Sequence, residues 1–117
     1  MKVFLTGASG FVGSRVLDEL LSHHHDVTAL VRKQEVAHKL SARGVKTLVG
    51  DLSSLDKIAQ ASKAADAVLH LAFDHDIKGA TDYERSLKLD ISVTETILAT
   101  LAEGNVSLCI GCFNMST

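Results

Sequence analysis

The chain has 117 residues, 12 basic and 14 acidic, for a formal net charge of −2. The charges are mixed along its length, which excludes a basic nucleic-acid stripe and a like-charge tail. With 46% hydrophobic residues it can build one core of its own, yet no apolar run approaches the ~20 residues of a membrane span.

The first stretch, "KVFLT" (Lys2–Thr6), is predicted as a buried strand. "FVGSRVLDELLSH" follows with Phe11, Val12, Val16, Leu17, Leu20 and Leu21 spaced for one helix face. "DVTALV" (Asp26–Val31) is a second strand, and "QEVAHKLSARG" a second helix that Gly44 stops. "VKTLVG" makes a third strand, and "SSLDKIAQASKAA" a third helix capped by Ser53 or Ser54. "DAVLHLAF" is a fourth strand. "TDYERSLKLDISVTETILATLAEG" is a long helix whose Leu87, Ile91, Thr94, Leu98 and Leu101 are expected on one side. "VSLCIGCF" closes the series as a fifth strand. Strands alternating with helices predict an α/β, Rossmann-like, doubly wound parallel sheet of order 3-2-1-4-5, in one domain over residues 1–117.

Gly7, Gly10 and Gly13 fall where the first strand turns into the first helix. Gly7 permits a turn that a Cβ would strain. Gly10 admits a ligand's phosphates to the backbone, and Gly13 lets the helix lie close on the strand. The free amides and positive dipole end of that helix then face a pyrophosphate. The turn follows a predicted strand and opens a predicted helix, as a dinucleotide-binding motif requires.

"TGASGFVG" resembles the T-G-x-x-G-x-x-G loop of the short-chain dehydrogenase/reductase superfamily, in its extended and atypical, NAD-dependent epimerase/dehydratase-like branch. "GDLSSLD" is similar to that family's adenine-side motif, which implies that Asp51 and Leu52 face the base. "VLHLAF" resembles its fourth strand, which implies that Leu71 and Ala72 border the nicotinamide ribose. The loop residues Gly7, Ser9, Gly10, Phe11, Val12 and Gly13 are carried over as cofactor-binding.

An acid at the end of strand two would bind a ribose 2′-hydroxyl and favour NAD. This chain has Arg32 and Lys33 there, and Asp26 lies at the other end of the strand. A guanidinium at that point suits a 2′-phosphate, so NADP is the expected cofactor ahead of NAD. Ser9 can add a hydroxyl contact.

The resemblance implies catalysis by a Ser/Thr and a Tyr-x-x-x-Lys pair, with Tyr as the acid–base and Lys lowering its pKa. Tyr83 is the sole tyrosine; Leu87 stands four residues on, and Lys88 is one place too far. Asp90 falls at a family Asn position and reads as a polar helix residue. Gly111 and Cys112 stand where Thr-Ser is implied, with Ser116 and Thr117 a few places late. No residue is therefore assigned a catalytic role. The expectation is the cofactor-binding portion of an epimerase/dehydratase-like oxidoreductase, truncated after strand five. A non-catalytic NADP-sensing or interaction module, or a defunct gene product, is the alternative. An open strand-five edge invites self-association or another covering chain.

His23–His25 have no acidic or Cys partner spaced with them, so no metal site is expected. Cys109 and Cys112 lack a second ligand pair and read as small apolar residues of a strand. His70 reads as a core histidine, Asp74–Asp76 as a polar loop and Phe73 as a packing residue. The N-terminus has one Lys and soon polar Thr6, unlike a secretory leader. The expected location is cytoplasmic.

Overall fold

The computed structural model describes residues 1–72, 80–103 and 108–111. Phe73, Asp74–Asp76, Cys112, Ser116 and Thr117 lie outside the described residues, as does the side chain of Tyr83. Strands β1 (Lys2–Thr6), β2 (Asp26–Val31), β3 (Lys46–Val49), β4 (Ala67–His70) and β5 (Leu108–Gly111) alternate with helices α1 (Phe11–Ser22), α2 (Gln34–Ser41), α3 (Leu55–Ala64) and α4 (Ala80–Glu103). All pair in parallel in the order β3-β2-β1-β4-β5, the doubly wound order expected from the sequence.

Strand residues alternate between two apolar layers, because successive side chains point to opposite faces. Leu5, Val27, Ala29 and Val31 meet Leu17 of α1 and Ala37 and Leu40 of α2 on one face. Phe4, Leu30 and Val68 meet Ile58 of α3 and Val93 and Ile97 of α4 on the other. Helices on both faces leave the C-terminal ends of the strands as the open crevice.

Three expectations about helix faces and ends are corrected. Phe11 and Val12 do not join the buried stripe of α1: they are 79% and 51% exposed, whereas Gly13 and Leu17 are buried. At 100° per residue, Phe11 and Val12 lie about 120–140° around the helix from Leu17, and Gly13 only about 40°. On α4, Leu87, Ile91 and Leu98 are exposed, Thr94 is half-buried, and the buried face is Val93, Ile97 and Thr100 with Leu89 partly covered. Both sets keep helical spacing, so period alone does not choose between them. The hydroxyls of Thr96 and Thr100 donate to the carbonyls of Ser92 and Thr96, at 2.8 and 3.0 Å, which satisfies them within the helix. Helix α2 ends at Ser41, and Gly44 closes the following turn, where the Val45 amide donates to the Leu40 carbonyl at 3.1 Å.

Candidate functional site

The C-terminal ends of β1, β2 and β4, the starts of α1 and α3, and the first half of α4 enclose a cavity of about 610 Å³. Its floor is the β1–α1 turn. Gly7 adopts φ +78°, and a Cβ there would come within 2.8 Å of the Ala72 nitrogen. A Cβ on Gly13 would lie 1.7 Å from the Gly7 carbonyl oxygen. Both glycines are therefore fixed by the protein's own packing. Gly10 is different. Its φ of −76° suits any residue, and a Cβ would meet only the Gly7 oxygen, at an ordinary 3.4 Å.

Gly10 is also the N-cap of α1, with no side-chain capping bond and no acidic residue in the first turn. The amides that open the helix, and the positive end of its dipole, are left without a side-chain answer where they line the cavity. Gly10 itself lines the cavity, and its own packing surroundings do not demand a glycine. This cradle fits a diphosphate.

Around it, the structure brings together Gly7, Ser9, Gly10, Phe11, Val12, Gly13, Arg32, Asp51, Leu52, Leu71 and Ala72, eleven of the twelve residues singled out in the sequence. Lys33 is the exception. It is the extended N-cap residue of α2, with φ −109° and ψ 135°, and is not among the lining residues. The chain bends at Arg32, just past the end of β2, and Lys33 leads directly into α2 instead of lining the cavity.

Exposed Phe11 carries the guanidinium of Arg15 5.2 Å from its ring centroid. Asp51 opens the turn into α3. Its Oδ1 accepts the Ser53 amide at 2.9 Å and the hydroxyls of Ser53 and Ser54, while its own amide donates to the Ser54 hydroxyl at 3.2 Å. The Ser53 hydroxyl, followed by its amide, holds the Asp51 carboxyl below its ordinary 3.8. Ser54 occupies the N-cap of α3 but makes no side-chain capping bond, since its hydroxyl serves Asp51.

Between floor and wall lies a buried polar pair. Register places Thr6 opposite His70 on the neighbouring strand. The Thr6 Oγ1 is 2.7 Å from His70 Nδ1 and accepts the amides of Leu71 at 3.0 Å and Ala72 at 3.1 Å. Burial lowers the His70 pKa from its ordinary 6.5.

The cavity also takes Thr6, Leu30, Val31, Gly50, Ser53, Arg85 and Leu89, which the sequence reading did not assign to it. Thr6, Gly50 and Ser53 lie inside the quoted motifs "TGASGFVG" and "GDLSSLD", so the motifs themselves could have pointed to them. Arg85 and Leu89 reach the site from α4 on one helix face, and only the phase of that helix reveals them. Among the described residues, no group of three or more His, Cys, Asp or Glu is placed to hold a metal ion, and no helix is long and apolar enough to cross a membrane.

The profile of the NAD(P)H-binding family matches residues 7–115. The uncharacterized protein YLL056C of Saccharomyces cerevisiae is 41% identical over 107 residues, which cover 90% of this chain and 35% of that protein. A Stigmatella aurantiaca 4-hydroxy-2-methyl-3-oxo-4-farnesyl-3,4-dihydroquinoline-1-oxide ketoreductase is 31% identical over 91% of this chain and 31% of its own. The yeast methylglyoxal/isovaleraldehyde reductase Gre2, solved in complex with NADPH, superposes with a TM-score of 0.73 and 29% identity, over 95% of this chain and 36% of that one. The chain thus spans about a third of the length of the relatives it matches. With the glycine cradle and the strand order, these likenesses make the chain a member of the NAD(P)H-binding family, within the short-chain dehydrogenase/reductase and epimerase/dehydratase superfamily.

Proposed function

We propose that residues 1–117 hold NADP in preference to NAD, as the cofactor-binding part of an epimerase/dehydratase-like oxidoreductase. The observation that carries this reading is the opening of α1, where Gly10 presents no side chain and neither cap nor acid answers the first-turn amides beside the cavity. The diphosphate lies on those amides, with Ser9 adding a hydroxyl. Asp51 and Leu52 flank the adenine, and the Leu71–Ala72 backbone borders the nicotinamide ribose. Arg32, exposed at the end of β2, takes the 2′-phosphate, and no carboxylate stands beside it in the sequence to favour a free hydroxyl.

Bound NADP supplies hydride chemistry; the residues here bind and orient it. Proton transfer needs a group that this stretch does not provide in the family's pattern, because Leu87 rather than a lysine follows Tyr83 by four places. Residues 1–117 alone are therefore expected to bind dinucleotide without turning over substrate.

Arg32→Ala tests the preference. A hydrogen bond to a charged group contributes about 1.5–3 kcal/mol. The substitution should weaken NADP by roughly ten- to a hundredfold and leave NAD within about twofold, measured by calorimetric titration. Equal losses for both, or none for NADP, would remove Arg32 from the 2′-phosphate.

A further inference from the structure

His70 is buried and titratable, and the dinucleotide reading gives it no task. Its neighbours assign one. A threonine hydroxyl has two lone pairs and one proton. Both lone pairs of Thr6 Oγ1 are taken, by the amides of Leu71 at 3.0 Å and Ala72 at 3.1 Å. The proton is left to go to His70 Nδ1, 2.7 Å away. Nδ1 must then be the bare acceptor nitrogen, which makes the ring neutral with its hydrogen on Nε2.

We propose that Thr6 and His70 are a positioning pair for the dinucleotide site: neutral His70 accepts the Thr6 proton, and so turns the hydroxyl's lone pairs toward the Leu71 and Ala72 amides at the cavity wall. The alternative rotamer of the hydroxyl proton would point it at an N–H donor and release one of the two amides. The Leu71 amide has a second, longer acceptor in the Thr6 carbonyl, at 3.3 Å, whereas among the described residues the Ala72 amide has Thr6 Oγ1 alone. The latch therefore acts most on Ala72, the residue whose nitrogen crowds Gly7 to the point that a Cβ there would sit 2.8 Å away. The hydroxyl thus holds the Ala72 backbone at the wall, in the place that leaves Gly7 no room for a side chain.

Register makes this arrangement available. Thr6 and His70 are direct partners across parallel strands, on the face that also carries Phe4 and Val68. A slip of one residue in either strand would send that strand's side chain to the opposite layer and separate the pair. Thr6 is 0% and His70 8% exposed, so water does not replace a lost partner without cost.

The proposal rests on the dinucleotide reading only for what the positioned backbone touches. Its first test needs no ligand: 15N chemical shifts of the His70 ring in the 117-residue chain at pH 7.5 should show a bare Nδ1 and a protonated Nε2. A protonated Nδ1 overturns the proposal. The second test titrates NADP into four variants. Thr6→Ser keeps the hydroxyl, and His70→Asn places a carbonyl acceptor where Nδ1 stood; both should bind within about threefold of the parent. Thr6→Val and His70→Leu should lose tenfold or more. His70→Leu, with its ring replaced by an apolar group, is the variant expected to stay folded, and its melting temperature is read alongside. Parent-like NADP affinity in His70→Leu overturns the proposal, as does an equal loss in His70→Asn. If the parent chain itself bound no dinucleotide, the reading of the cofactor would fail, while the ring tautomer would still decide the latch.

Discussion

The floor and the rim of the cavity are built on opposite principles. At the floor, Gly7, Gly13, Thr6 and His70 are fixed by the protein itself, through backbone approaches that no Cβ could share and a hydroxyl whose every valence is used. At the rim, Gly10, Phe11, Val12 and Arg32 are exposed, and nothing in the surrounding packing demands them. On the proposed dinucleotide reading, the floor glycines answer to folding, the rim residues to a ligand, and the Thr6–His70 pair to both, so glycine substitutions at floor and rim should separate into those that move the melting temperature and those that move affinity.

Gly13→Ala is the largest break. The new methyl would sit 1.7 Å from the Gly7 carbonyl oxygen, and that neighbour is backbone. Helix α1 would have to lift from the turn it rests on. Overpacking of this kind costs about 3 kcal/mol or more, which is about 10 °C or more of melting temperature for a chain of this size. Thermal unfolding followed by circular dichroism checks it, and a melt within about 2 °C of the parent would contradict the close approach. Gly10→Val is the matching change at the rim. Its backbone is compatible with any residue, so only the poorer N-cap propensity of valine acts on folding, below about 1 kcal/mol. Dinucleotide affinity should nonetheless fall tenfold or more. A large stability loss at Gly10 with unchanged affinity would reverse the assignment of the two glycines.

The two regions also differ in how far the sequence reveals them. The strand–turn–helix order and the glycine spacing at 7, 10 and 13 are local, and the turn chemistry of Gly7 follows from backbone sterics alone. Strand order follows from alternation and handedness. Side-chain direction is less accessible. Leu87, Ile91 and Leu98 have the spacing of a buried stripe, as do Val93, Ile97 and Thr100, and the choice is made by α3 and the sheet, which lie far off in sequence. Phe11 is apolar and exposed because it belongs to a helix start that overhangs the crevice rather than to the face over β1 and β2. Lys33 resembles Arg32 in charge, but the chain bends at Arg32 on its way into α2, and only Arg32 lines the cavity. His70 could be placed in the core from its strand. Its bond to Thr6, 64 residues away, depends on parallel register.

Acid should dismantle the two regions at different points, with smaller effects than the glycine changes. At the floor, burial lowers the pKa of His70 from 6.5, so the folded state prefers the neutral ring. A depressed folded pKa gives stability that is fully present above the unfolded value and lost as pH falls through the folded one. A first decline in melting temperature is therefore expected below pH 6.5, and His70→Asn should flatten it. At the rim, Asp51 prefers its charged form, held by the Ser53 hydroxyl and amide below 3.8. The sign is the same: its contribution persists above 3.8 and fades as pH falls through the folded value, a second decline deeper in acid. Asp51→Asn should remove that second decline and, at an exposed position, change stability at pH 7 by no more than about 0.5 kcal/mol. A first decline that survives in His70→Asn would mean that the floor does not depend on a neutral ring. A second decline that survives in Asp51→Asn would mean that the turn into α3 holds without its carboxylate.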